Sequence, residues 1–179
     1  MSGGILSLDL GSVSGFAYGE PGRDPVWGHE KLVDAGDCGG QVLARARQWV
    51  ETLIDRLQPS WVATEAPYVP RGDRKVPFNA ATNSRLQRLA GVAESVAFER
   101  GLSYREPDIR AVARHFLGSH GAILQRDKKK QLTKTYCEAQ GWKPVTQDEA
   151  DSLALLSFME FSLSPLAARL RGERLPLFL

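Results

Sequence analysis

Four carboxylates give this sequence its chemistry. Asp148 and Asp151 stand three residues apart in Gln147-Asp148-Glu149-Ala150-Asp151-Ser152-Leu153-Ala154-Leu155-Leu156. On a helix that spacing sets both side chains on one face, one turn apart. The apolar stripe behind them, Leu153, Leu156, Phe158 and Met159, would pin such a helix to a core. Asp9 and Glu65 each end a short, mostly apolar run, Ile5-Leu6-Ser7-Leu8 and Trp61-Val62-Ala63-Thr64, which puts them at the carboxyl ends of strands. A carboxylate in that position is expensive unless charge neutralises it. Hard oxygen ligands without His or Cys suit Mg²⁺ or Mn²⁺, and a pair of such ions drives phosphodiester hydrolysis.

Each acid also has a plainer reading. Thr146-x-x-Glu149 is a capping box, and acids are welcome in a first helical turn because of the macrodipole. Asp9, just ahead of Gly11, suits a turn. Glu65 before Ala66-Pro67 fits that explanation poorly, because turns favour Asp, Asn or Gly over Glu.

The elements that must hold these residues follow from periodicity. Ile5–Leu10 reads as a buried strand, Gly11–Gly15 as a turn, Phe16–Tyr18 as a second strand and Val26–Val33 as a third, together an antiparallel meander. Val42, Leu43, Ala46, Trp49, Val50, Leu53, Ile54 and Leu57 form a helical stripe ended by Pro59. Trp61–Thr64 is then a strand reached by a crossover. Residues 66–79, with three prolines, three cations and two aromatics, make a long surface loop. A helix from about Thr82 to Arg100 follows, with Leu86, Leu89, Ala90, Ala93 and Ala97 on one face and Gly91 beside it. Its small residues would admit another helix closely.

Beyond it come a strand at Leu102–Arg105, a short helix at Pro107–Leu117 and a helix at Asp127–Gln140 led by Lys128, Lys129 and Lys130. Strands first, then alternating helix and strand, then helices describe a layered α/β domain with a mixed sheet. In such sheets active groups gather at the carboxyl ends of the parallel strands.

Composition excludes several classes. The chain has 179 residues, 42% hydrophobic and 25% charged, with a net charge of +2: one soluble domain, and no bulk cationic signature of a nucleic-acid binder. Cys38 and Cys137 form no disulfide framework, and His29, His115 and His120 no zinc pattern. No apolar run is long enough to span a membrane and no signal peptide is evident, so a reducing, cytoplasmic setting is expected.

In order along the chain, Leu6-Ser7-Leu8-Asp9-Leu10-Gly11-Ser12-Val13-Ser14-Gly15, then Thr64-Glu65, then Asp148-Glu149-Ala150-Asp151-Ser152-Leu153-Ala154 resembles the RuvC family of Holliday-junction resolvases. The resemblance covers nearly the whole chain. It implies an α/β ribonuclease-H-like domain over residues 1–164, with a mixed five-stranded sheet flanked by helices, and a C-terminal tail at 165–179. It further implies a homodimer, a four-way DNA junction as substrate, and two divalent ions per active site (Mg²⁺, with Mn²⁺ as the variant) held by Asp9, Glu65, Asp148 and Asp151.

Lys129 looks like the match of the family's lysine before the last motif, with Lys128, Lys130 and Lys134 holding phosphates around it. Cations at a helix start oppose its dipole, and a phosphate partner would explain that penalty. In the loop after Glu65, Tyr68 or Phe78 is placed to stack on a base, and Arg71, Arg74 and Lys75 to touch backbone. That loop departs from the family pattern. Asn79–Val92 resembles the family's dimer-pairing helix. The tail, Leu175-Pro176-Leu177-Phe178-Leu179, is similar to peptides that dock into bacterial sliding clamps, although an apolar tail also packs on its own body.

Three other readings stay open at this stage. One is a ribonuclease-H-like nuclease for other branched DNA or for RNA. Another is a non-catalytic junction binder, against which the presence of all four acids counts. The third takes Asp9-Leu10-Gly11-Ser12 as the phosphate loop of an actin-like ATPase, a fold that needs two such domains where this chain has room for one.

Overall fold

The computed structural model describes residues 3–20, 23–67 and 80–163. Alternating residues in β1 (Gly4–Asp9), β2 (Val13–Gly19) and β3 (Val26–Lys31) build the expected antiparallel meander. Helix α1 (Gly39–Leu57) then returns the chain to β4 (Pro59–Thr64), which runs parallel to β1. It ends at Gln58, which takes a left-handed conformation (φ 49°, ψ 52°) and donates its N–H to the Ile54 carbonyl. Pro59, with no N–H to extend the helix, enters the strand instead.

Helix α2 (Ala80–Glu99) leads to β5 (Ser103–Arg105), parallel to β4, and completes a five-stranded sheet in the order β3-β2-β1-β4-β5. Helices α3 (Ile109–Leu117), α4 (Arg126–Ala139) and α5 (Gln147–Leu163) follow. Asp108 caps α3 by accepting the amides of Arg110 and Ala111. A single 3₁₀ turn at Gly121–Ile123 is an addition that periodicity did not foresee.

The sheet has two covered faces. On one, Leu6, Leu8, Phe16 and Val62 pack with Val50, Leu53 and Ile54 of α1 and Ala93, Val96 and Ala97 of α2. On the other, Ile5, Ala17 and Ala63 meet α5, with α3 behind it supplying Val112 and Phe116. One expectation is met and one changes here. The small-residue face of α2 does admit another helix, α1, against the sheet. And α5 carries no narrow stripe: Ala150 and the run Ser152–Leu156 are all buried, as is Met159, while Phe158 is half-buried. The reason is position, since α5 lies between the sheet and α3 and α4. Each fully buried Leu in it contributes about 1.5–3 kcal/mol relative to exposure, which makes α5 the most firmly fixed carrier available for a pair of acids.

Candidate active site

Register brings the first two acids together. Leu8 pairs with Thr64 across the parallel strands β1 and β4, so the next residues, Asp9 and Glu65, leave the sheet side by side. Alternation along a strand sends Ile5, Ser7 and Asp9 to the α5 face and Leu6 and Leu8 to the other. Asp9 in turn pairs with Gly15 of β2, and Gly15 with His29 of β3. One row across the sheet therefore reads His29, Gly15, Asp9, Glu65.

The first turn of α5 descends on this row. A Cβ on Gly15 would sit 2.0 Å from the Asp148 carbonyl oxygen, so only glycine admits the helix there. The same strip continues as Ala17 and Gly19, whose missing side chain leaves room for Leu156 and Glu160 of α5. Small residues on β2 thus set how close Asp148 and Asp151 come to Asp9.

The acids act on one another. Burial, then Glu65, Asp151 and Asp148, hold the Asp9 carboxyl well above the usual carboxylate range, with Lys130 opposing. Burial pushes Glu65 up to about 7, against Lys129 and with help from Asp151. Asp151 is raised by burial and by Asp148, against a 2.9 Å hydrogen bond from Gln147 Nε2 and the charges of Lys129 and Lys130. Asp9, Glu65, Asp148 and Asp151 each keep some accessible surface, so a ligand can reach them. Among the described residues, no group of three or more His, Cys, Asp or Glu is placed to hold a metal ion. Like charges gathered this way favour standing apart or sharing protons.

Of the expected cations, Lys129 and Lys130, near the start of α4, are the ones whose charge reaches the acids. Lys128 is exposed and Lys134 half-buried on the same helix. Tyr68, Arg71, Arg74, Lys75, Phe78, Asn79 and the whole 165–179 tail lie outside the described residues. Cys38 and Cys137 are both free thiols, and no described helix is long and apolar enough to cross a membrane.

The capping box is present too. The Glu149 amide donates to Thr146 Oγ1 at 3.2 Å, and Glu149 Oε2 accepts the amides of Val145 at 2.5 Å and Thr146 at 3.4 Å. The capping roles thus fall to Thr146 and Glu149 and do not use the carboxyls of Asp148 and Asp151. What sequence reasoning missed is the other oxygen of Glu149, which lies 2.6 Å from His29 Nδ1. Trp27 packs against the α5-side core, and the same alternation puts His29 on that face; this was the signal available.

No protein-family model and no curated protein matches the sequence. Solved structures do match the fold. A Thermus thermophilus RuvC structure superposes with a TM-score of 0.63 at 15% identity, covering 96% of this chain and 95% of that one. T. thermophilus RuvC in complex with a Holliday junction substrate gives 0.65 at 15% identity, over 90% of this chain and 96% of that one. The yeast mitochondrial Holliday junction resolvase gives 0.61 at 13% identity, over 95% and 79%. At these identities the likeness is one of fold, and the chain has the mixed-sheet, ribonuclease-H-like architecture of these resolvases.

Proposed function

We propose that the chain is a RuvC-like resolvase: a metal-dependent, structure-selective endodeoxyribonuclease that cuts four-way DNA junctions by paired, symmetric nicks. The observation that carries this reading is the carboxylate row. Asp9 and Glu65 sit side by side, with the Asp148–Asp151 face of α5 over them and Lys129 and Lys130 alongside. The fold shared with resolvases supports it.

The chemistry of the donors suits a divalent ion, although their metal-free placement would have to tighten to hold one. Three carboxyls are held above their ordinary range by burial and mutual repulsion, and a dication is the counter-charge that would bring them back to the ionised form. The ligands would be Asp9, Glu65, Asp148 and Asp151, all hard oxygen donors suited to Mg²⁺ or Mn²⁺. Two bound ions would supply an activated water and charge stabilisation at the leaving oxygen.

The chain's own residues do the rest. Lys129, near Glu65 and Asp151, holds the non-bridging oxygens of the scissile phosphate. Lys130, Lys128 and Lys134 retain the flanking backbone. With Glu65 raised to about 7 in the metal-free site, protons compete with the metal for it, and metal affinity should fall as pH drops through that value. Two copies related by a two-fold axis would present two such sites to opposed strands.

The test offers a labelled four-way junction, a linear duplex and an RNA–DNA hybrid, in Mg²⁺ or EDTA. Paired nicks on the junction alone are expected, and preferential cutting of the hybrid would replace this reading with a ribonuclease. Asp148→Asn should cut at least about a thousandfold more slowly while still binding the junction. Lys129→Ala should lose about a hundredfold in rate with binding retained; wild-type rates in that variant would remove Lys129 from the site.

A further inference from the structure

Glu149 sits between the two acids of α5 and is almost fully enclosed, with its side chain 4% exposed. In an ordinary capping box such a glutamate serves only the backbone amides at the helix start. Here Oε2 does that work, and Oε1 is turned to the sheet, where His29 Nδ1 meets it at 2.6 Å. An ionised Glu149 only accepts, so in the pairing with it the imidazole Nδ1–H is the donor. His29 belongs to the same cross-strand row as Asp9 and Glu65, at its outer end on the edge strand. Its own side chain is 41% exposed.

We propose that His29 is a positioning residue for Asp148 and Asp151: by holding Glu149 Oε1 it fixes the rotation of the first turn of α5 over the carboxylate row. The first turn of a helix has the fewest internal bonds to resist a twist. Asp148 projects from it and Asp151 from the turn that follows, and a small rotation swings their carboxyl ends relative to Asp9. Gly15 sets how near the helix comes to the sheet, and His29 sets how it is turned. The inference rests on the nuclease reading, because it assigns His29 a role toward those acids as ligands.

The experiment measures Mn²⁺ binding directly, by electron paramagnetic resonance of the free ion, in the wild-type chain and in His29→Ala, His29→Asn and His29→Gln. Mg²⁺-dependent junction cutting and junction binding in EDTA are followed in parallel. Removing a group that orients a site through a neighbour costs on the order of tenfold in metal affinity, and that loss is expected for His29→Ala, with junction binding in EDTA unchanged. Asn carries an amide nitrogen in the place of Nδ1 and should restore most of the affinity; Gln, with its donor one bond further out, should restore less.

Wild-type Mn²⁺ affinity in His29→Ala overturns the proposal. Should that variant fail to fold, Asn and Gln carry the test, and equal affinities in the two overturn it. If the wild-type chain binds no Mn²⁺ at all, the nuclease reading falls and this inference with it. If the wild type binds and the variants match it, only this inference falls.

Discussion

The two faces of the central sheet are built on opposite principles. The face toward α1 and α2 is filled by Leu6, Leu8, Phe16 and Val62, large side chains that maximise buried apolar area. The face toward α5 carries Ser7, Asp9, Gly15, Ala17, Gly19, Ala63 and Glu65. It gives up volume so that one helix can come close, and carries acids where the first face is mostly hydrocarbon, with the Thr64–Tyr104 hydroxyl pair as a neutral polar contact. Apolar burial serves both sides while the acids gather on one, and β1 contributes to both through alternate residues. A strand can serve two faces independently because its side-chain period is two.

The largest expected effects would break that division if it were wrong. Leu8→Ala empties a fully buried site and should cost about 2–5 kcal/mol, with the catalytic rate of the remaining folded protein unchanged. Gly15→Ala should cost about 1–3 kcal/mol, because its Cβ would fall on the Asp148 carbonyl, and it should also lower cutting by the folded fraction. Chemical denaturation beside single-turnover cutting separates the two. If both variants lose stability alone, the α5 face is no more specialised than its opposite.

A smaller effect concerns the electrostatics of the α5 face. Folded Glu65 titrates near 7 in place of 4.5, and Asp9 and Asp151 are raised as well. Between about pH 4.5 and 7 the folded chain thus holds protons that the unfolded chain has released. By linkage, this contribution to stability is full below the unfolded value and is lost as pH rises through the folded one. In EDTA the cluster should therefore oppose folding at pH 8. Asp9→Asn should stabilise the chain there by about 1–3 kcal/mol, with the gain shrinking toward pH 5. Mg²⁺ should raise the melting temperature of the wild type more than that of the variant. A gain for Asp9→Asn that is the same at pH 5 and pH 8 would mean that the acids do not repel one another.

How much of this was legible in the sequence follows from the range of each interaction. The strands, α1, α2 and the start of α5 announce themselves through local periodicity and capping, and Asp9, Glu65, Asp148 and Asp151 stand out because acids at strand ends and on one helix face are costly without a purpose. The purpose of Gly15, Ala17 and Gly19 was hidden. A small residue in a strand has no meaning until the helix that needs the space is placed over it. His29 was hidden for a related reason: its partner lies 120 residues away, and neither residue belongs to a motif that names the other. The overall burial of α5 was misjudged as a stripe because a helix packed on several sides loses the one-sided pattern from which burial is read.

The smallest effect probes what the α5 face gives up. Ser7 is fully buried on β1, two residues before Asp9, and its hydroxyl has no hydrogen-bond partner among the described residues. It lies between Ala17 and Ala63 in the strand register, under α5, where a larger apolar side chain would lift the helix as a Cβ on Gly15 would. Alanine removes the unsatisfied oxygen without adding volume. Ser7→Ala should therefore stabilise the chain by about 1 kcal/mol, with cutting unchanged. If it instead destabilises the chain and slows cutting, the hydroxyl is bonded in solution, and this face is arranged around a buried polar contact in addition to its close approach.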